Sequence, residues 1–162
     1  MNAQRPFLCF ALLKFANGVM AQTKISGSAH CSEPYDSHTI SIEQSADHSF
    51  VISQEKCTWV KPMEIAGIQN KDSISTDMYE VTGSTAHGRA FFVDTMANGD
   101  TVYYRAEWVV NGLDQGNAQS GKWTWKFAGG TGKFKKITGS GSCDYRTASS
   151  TWECQGEYAI AR

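Results

Sequence analysis

Apolar and polar residues alternate one by one along several runs of this chain, which is the pattern of β-strands. In residues 122–127 the aromatic side chains fall on one face and the lysines on the other, and residues 137–145 and 152–160 alternate in the same way. Successive side chains of a strand point to opposite faces, so each run has one face to bury and one for solvent. The pattern predicts antiparallel strands around a common core.

Turn signals divide the chain into these strands. Asn98-Gly99 predicts a two-residue hairpin connection, because both positions of such a turn need positive φ, and Pro62 ends a strand because it cannot donate to a ladder. Only residues 131–136 suggest a single helical turn. The predicted strands lie near residues 23–31, 38–44, 48–60, 74–82, 88–96, 101–110, 120–128, 137–146 and 151–160. We expect an all-β, mainly antiparallel sheet closed into a barrel or a sandwich, one domain over residues 22–162.

The N-terminus has the pattern of a secretory signal peptide over residues 1–21. Arg5 supplies a positive start, residues 7–13 form a short apolar run, and Val19-Met20-Ala21 resembles a cleavage site that leaves Gln22 first. The run is shorter than the roughly 20 residues that a membrane-spanning helix needs, so no membrane span is predicted. An amphipathic helix of the folded domain and a start codon assigned too early are the alternatives. The signal peptide favours export to the periplasm or beyond.

Cysteine usage agrees with export. Cys9 lies in the predicted signal peptide, and the other four cysteines form no Cys-x-x-Cys pair, which suits two disulfides better than zinc. Folding residues 142–154 about a turn at 147–150 places Cys143 opposite Cys154, close enough to bridge. That pairing leaves Cys31 with Cys57. Four free thiols in a cytosolic protein are the less favoured alternative.

A glycine-rich motif runs from Gly129 to Phe134 and is followed by Gly139 and Gly141. This motif resembles the signature of the β-barrels typified by allene oxide cyclase and plant dirigent proteins. The resemblance implies an all-β, mainly antiparallel closed barrel of about eight strands with a small interior cavity, and it assigns no catalytic residue. Residues 57–59, 61–67 and 95–100 are similar to a group of uncharacterised secreted proteobacterial proteins. A tight passage from strand to short helix to strand explains the glycines structurally.

One polar constellation stands out as a candidate binding site. A two-residue turn at Asn98-Gly99 pairs Asp94 with Tyr103 and places Asp94, Tyr103, Arg105 and Glu107 on one face. If these side chains line a cavity, they can bind an acid group or move a proton. If they face solvent, they are a cross-strand charge arrangement that contributes about 0.2–1 kcal/mol per pair. The apolar character of the opposite face favours solvent.

The sequence gives little indication of a metal site, a hydrolase, a phosphate-binding loop or a nucleic-acid partner. The four histidines, His30, His38, His48 and His87, lack metal-ligand spacing, so no metal and no cofactor are expected. There is no Gly-x-Ser-x-Gly motif and no phosphate-binding loop. A net charge of −1 without basic clusters argues against a nucleic-acid partner.

These features predict an exported barrel and favour a binding protein, with a small, partly apolar ligand in its lumen, over an enzyme. A cyclase- or isomerase-like enzyme acting on a hydrophobic substrate is one alternative. A structural or interaction protein whose lumen is filled by side chains is another. Trp123, Trp125 and Trp152 are expected in the core instead of around a ligand pocket. A lumen above roughly 300 Å³ would favour binding or catalysis. A polar group with a strongly shifted pKa would favour the enzyme.

Overall fold

The computed structural model describes residues 22–42, 47–114 and 118–161. Ten strands make up most of the described chain, and a short 3-10 helix, Gly132–Phe134, lies between the eighth and ninth. The strands are β1 Thr23–Cys31, β2 Asp36–Ser41, β3 His48–Lys61, β4 Glu64–Ile65, β5 Ile68–Thr82, β6 Thr85–Met96, β7 Thr101–Asn111, β8 Ser120–Gly130, β9 Ile137–Arg146 and β10 Thr151–Ile160. The predicted signal peptide lies outside the described residues.

Eight of these strands close into an antiparallel barrel. The hydrogen-bonded order β3-β1-β10-β9-β8-β7-β6-β5 is completed by pairing between β5 and β3, and every ladder is antiparallel. The predicted all-β barrel of about eight strands is therefore confirmed. Strands β2 and β4 lie outside the closed ring, and β4 is too short to show alternation in the sequence. Within the described residues, no helix has the length and apolar character needed to cross a membrane.

Strand β2 continues the path of β1 along the same edge of β3. The last residues of β1 pair with residues 57–61 of β3, and β2 pairs with residues 49–54. The break falls at residues 32–35, where Pro34 cannot donate to the ladder. The neighbour of β1 on its other side, β10, begins only at Thr151, so β2 extends beyond the barrel wall.

One end of the barrel is closed by side chains. Ile65 from the β4 hairpin and Phe134 from the 3-10 helix are fully buried, and Met63 is nearly so. Phe134 belongs to the glycine-rich motif: a Cβ atom added at Gly130 would lie 2.8 Å from Cβ of Phe134 and 2.4 Å from the carbonyl oxygen of Thr101. Glycine at position 130 therefore lets the phenylalanine close this end. The expected helical turn is confirmed, and the motif has a structural role.

Both predicted disulfides are present. Cys143 lies directly opposite Cys154 in the β9–β10 hairpin, with a Cα–Cα distance of 4.0 Å. Cys31 pairs with Cys57 across β1 and β3 at 3.9 Å. The alternation pattern placed both hairpin cysteines on the apolar face, and this prediction is confirmed because both are buried.

The β6–β7 hairpin has a different register from the predicted one. Its connection is three residues long, Ala97–Gly99, and Asp94 pairs with Val102, not with Tyr103. Only Gly99 in this loop has positive φ, at 86°. A type I turn followed by one left-handed glycine gives such a three-residue loop, whereas the predicted two-residue turn needs two left-handed residues. The prediction that Asp94 shares a face with Tyr103, Arg105 and Glu107 is therefore wrong.

Candidate functional site at the open end of the barrel

Three carboxyl groups point into the barrel: Glu55 on β3, Asp77 on β5 and Asp94 on β6. The inward-facing positions of the described strands hold no lysine, arginine or histidine. Buried carboxylates are normally paired with a cation or strongly hydrogen-bonded. An acidic interior without a counter-charge is therefore the most unusual chemical feature of this protein.

Two of the carboxyls, Glu55 and Asp77, form a neighbouring pair. Glu55 lies opposite Ser75, and Asp77 is the next inward-facing residue along β5. The indole nitrogen of Trp108 donates a hydrogen bond of 2.8 Å to Asp77, and the Ser75 hydroxyl donates another. Burial and the nearby Asp77 charge raise the pKa of Glu55 to about 7, and burial also raises the pKa of Asp77.

An aromatic pair lies beside these carboxyls. The rings of Tyr79 and Trp108 are 5.1 Å apart between centroids and tilted by 50°. Burial raises the pKa of Tyr79, so its hydroxyl stays protonated. Ser53 lies opposite Asp77 and is buried; it has no well-formed hydrogen bond among the described residues, and its contact with Tyr79 is marginal. The site thus combines carboxyls, an aromatic surface and a hydroxyl with spare hydrogen-bonding capacity.

Solvent reaches this site from the end of the barrel opposite Phe134. Glu55, Tyr79 and Trp108 face inward and yet are only half-buried. Strand β2 extends the wall here: Ser37 lies opposite Ser53, and directly opposed residues share a face of the sheet. A solvated site with a carboxyl that titrates near neutral pH can bind a cation or exchange a proton with a bound molecule.

Asp94 lies deeper and belongs to a separate network. The Asn70 side-chain amide donates a hydrogen bond to Asp94 and a longer one, 3.4 Å, to the hydroxyl of Tyr104. Burial raises the pKa of Asp94 to about 7 and that of Tyr104 well above its usual range. These side chains are almost completely buried, and Asp94 and Tyr104 also line the small central cavity.

The other three residues of the predicted constellation lie on the outer surface. Arg105 and Glu107 are exposed, and Glu107 is 4.0 Å from Arg89 across the β6–β7 ladder. The half-buried Tyr103 stacks on Phe91, with 6.0 Å between ring centroids. The apolar opposite face predicted that these side chains face solvent, and for these three residues the prediction is confirmed.

Side chains fill the middle of the lumen. The remaining cavity measures about 40 Å³, far below the roughly 150 Å³ that accommodates benzene in an engineered protein cavity. Its wall is formed mainly by aromatic side chains and by both disulfides. Trp125 and Trp152 are buried, and Trp123 packs against them, so the prediction that these tryptophans form the core is confirmed. A partly apolar ligand does not fit in the centre of this lumen.

The alternation around Cys57 is a sequence signal for the carboxyl pair. Glu55 is two residues from Cys57, and Asp77 is two residues from both Ser75 and Tyr79. Residues two apart on a strand share a face, so an inward-facing Cys57 implies an inward-facing Glu55. Polar residues on a buried face would then have identified β3 and β5 as the strands that carry the site.

The chain gives no match to a protein-family model, to a curated protein or to a solved structure. Among the described residues, no group of three His, Cys, Asp or Glu side chains has the geometry to hold a metal ion.

Proposed function

We propose that this protein is exported and binds a small, partly apolar molecule with a basic nitrogen at the open end of its barrel. The observation that carries this proposal is the Glu55–Asp77 pair, which lies beside Tyr79 and Trp108 at the end that solvent reaches, with no inward-facing lysine, arginine or histidine on the described strands. An ammonium group supplies the missing positive charge. The two rings offer an apolar surface and a cation–π partner for the rest of the ligand.

Electrostatics favour such a ligand over an acidic or neutral one. The pKa of Glu55 near 7 means that burial disfavours its charged form. A bound ammonium would favour the carboxylate again, because an opposite charge within about 4–6 Å lowers a carboxyl pKa. An acidic ligand would instead add a third negative charge to the site. The ligand would lie at the mouth of the barrel, because the central cavity of about 40 Å³ has no room for it.

Two observations support the alternatives. A carboxyl with a pKa near 7 suits general acid–base catalysis at neutral pH, as a cyclase- or isomerase-like enzyme of the allene oxide cyclase and dirigent kind would need. The filled centre of the lumen suits a structural or interaction protein. Turnover of a bound compound would favour the enzyme, and absence of any retained or added ligand would favour the interaction protein.

Binding is tested with phenethylamine as the cationic probe and phenethyl alcohol as its neutral analogue, using tryptophan fluorescence. We expect saturable binding of the amine alone. It should weaken as the pH falls from 8 to 5, because Glu55 becomes protonated. Glu55→Gln and Asp77→Asn should weaken binding by about tenfold or more, in line with the loss of a charged partner. Glu107→Gln on the outer wall is the matched control and should bind normally.

Equal binding by Glu55→Gln and the wild type, with both folded by circular dichroism, would refute the proposed site. Native mass spectrometry of protein purified from its own compartment gives a second readout, since a retained ligand would identify its chemical class.

Export is the other half of the proposal. Two disulfides fit an oxidising compartment, and the signal-peptide pattern of residues 1–21 suggests how the chain reaches it. Intact-mass analysis of the exported protein should show Gln22, or its pyroglutamate form, as the first residue. Retention of residues 1–21 in the exported protein would contradict cleavage after Ala21.

A further inference from the structure

Strand β2 has one edge without a partner. Residues Asp36–Ser41 pair with β3 on one side, and no strand of the described chain pairs with the other side. All six residues are exposed. A free strand edge presents a row of unpaired N–H and C=O groups to any strand that approaches.

The geometry of the β2–β3 ladder identifies which backbone groups are free. The Ile42 amide donates to the carbonyl of His48, so the even-numbered residues of β2 bond to β3. Hydrogen bonding alternates along an antiparallel strand, so the N–H and C=O groups of Ser37, Thr39 and Ser41 point away from β3. These three alternate residues thus offer six backbone hydrogen-bonding groups.

This edge lacks the usual protection against pairing. Natural edge strands carry lysine, proline or a β-bulge that prevents another strand from adding to the sheet. Strand β2 contains no lysine and no proline, and its register with β3 runs without a bulge from Asp36 to Ser41. Pro34 lies outside the strand.

The outer face of the same sheet is apolar next to this edge. Ile40 lies opposite Phe50 and Ile52 lies opposite Met78, which places these four side chains in adjacent rows on β2, β3 and β5. Each is between 44% and 57% exposed. A contiguous apolar group of this kind marks an interaction surface more often than single scattered residues do.

We propose that β2 pairs antiparallel with β2 of a second copy of this chain, so that the two barrels form a twofold-symmetric dimer with one continuous sheet. With the axis at Thr39, Thr39 faces Thr39 of the second copy and each Ser37 faces the other copy's Ser41. All three outward-facing residues of each strand are then used, which gives six backbone hydrogen bonds.

The side chains of β2 are compatible with themselves in this register. The one acidic residue, Asp36, lies opposite Ile42 of the second copy, so no like charges meet. Ile40 lies opposite His38 of the second copy, and the apolar groups of the two copies become neighbours on the outer face. Small hydroxyl side chains meet on the other face, where Ser37 and Thr39 create no steric clash. This self-complementarity is the reason to assign the edge to a second copy instead of an extended peptide from another protein.

Sedimentation velocity over a range of concentrations, on protein with both disulfides formed, tests the proposal. We expect the dimer fraction to rise with concentration. Thr39→Lys should weaken dimerisation by about tenfold or more, because it places two like charges directly opposite each other on the axis. Thr39→Asp should weaken it for the same reason. An equimolar mixture of the two variants should restore it, which misfolded variants could not do.

Thr39→Pro and Thr39→Ala form a matched pair of backbone variants. Proline removes an outward N–H that β3 does not use, and should weaken the dimer by about tenfold, whereas alanine should leave the dissociation constant within about threefold of the wild type. Three results would overturn the proposal: a wild-type protein that stays monomeric up to about 1 mM, a Thr39→Pro dimer as stable as the wild type, or a Lys/Asp mixture that does not associate. An added extended peptide that binds the wild-type monomer at this edge would assign the edge to a different partner.

Discussion

The side-chain amide of Asn70 donates a hydrogen bond to the carboxyl of Asp94 in the interior of the barrel, where the two residues are 3% and 1% exposed. An amide donor solvates a carboxylate without neutralising it. Burial consequently dominates and raises the pKa of Asp94 from 3.8 to about 7. Folding stability therefore depends on pH in a direction opposite to that of a salt-bridged aspartate.

Asp94→Asn should flatten this pH dependence. Between about pH 4 and pH 7 the folded chain keeps a proton on Asp94 that the unfolded chain has lost, so the wild-type free energy of unfolding falls as pH rises through that window. Asparagine cannot ionise. The variant should match the wild type near pH 4 and exceed it by up to about 4 kcal/mol at pH 8.

Urea denaturation at several pH values measures this difference. Asp144→Asn, which changes an exposed carboxylate on the outer wall, is the control and should leave the wild-type slope intact. A shallower slope should remain, because burial also raises the pKa of Glu55 and of Asp77, and a slope as steep as that of the wild type would contradict the role of Asp94.

Phe134→Ala should cost about 3–5 kcal/mol, because it removes the fully buried ring that closes one end of the barrel and leaves a cavity there. The adjacent Lys133→Ala replaces an exposed side chain and should change the free energy of unfolding by no more than about 0.5 kcal/mol. Chemical denaturation of both variants makes the comparison. Similar small losses for both would show that the closed end does not depend on Phe134.

Arg105→Ala should change stability by no more than about 0.5 kcal/mol, since Arg105 is exposed on the outer wall. The neighbouring residue, Ala106, faces inward and is 4% exposed, so Ala106→Glu would bury a third carboxylate near Asp77 and should cost several kcal/mol. Thermal unfolding of the two variants tests the observed register of β7. A severe loss in Arg105→Ala would favour the two-residue turn instead.

Each disulfide should contribute about 3 kcal/mol, with the Cys31–Cys57 bridge slightly the stronger. The two bridges close loops with sequence separations of 26 and 11, and the chain entropy that a bridge removes from the unfolded state grows slowly with loop length. Paired Cys→Ala variants should therefore lower the free energy of unfolding and still fold, because the aromatic core remains. Non-reducing peptide mapping checks the pairing, and a peptide joining Cys31 to Cys143 would contradict it.

Much of this architecture follows from short-range patterns in the sequence. Alternation predicts β8, β9 and β10 with their buried faces, because the period of a strand is local and needs no knowledge of its partners. The Cys143–Cys154 bridge follows from the same reasoning, since a hairpin brings opposed residues together whatever the rest of the chain does. The second bridge follows by elimination, and Pro62 correctly marks the end of β3.

The sequence by itself thus determined most of the strands and the disulfide pairs, whereas only the tertiary structure decided the formation of β4, the full extent of β5 and which side chains on β6 and β7 face inward. Asn98-Gly99 is compatible with a two-residue and a three-residue loop, and the difference of one residue moves Asp94 from the outer wall to the interior. Tertiary packing selects the three-residue loop, because that register buries Phe92 and Tyr104 against the tryptophans of β8. The carboxyl pair of Glu55 and Asp77 likewise becomes a site only once closure of the barrel excludes solvent around it, since desolvation raises a carboxyl pKa and depends on every strand of the wall.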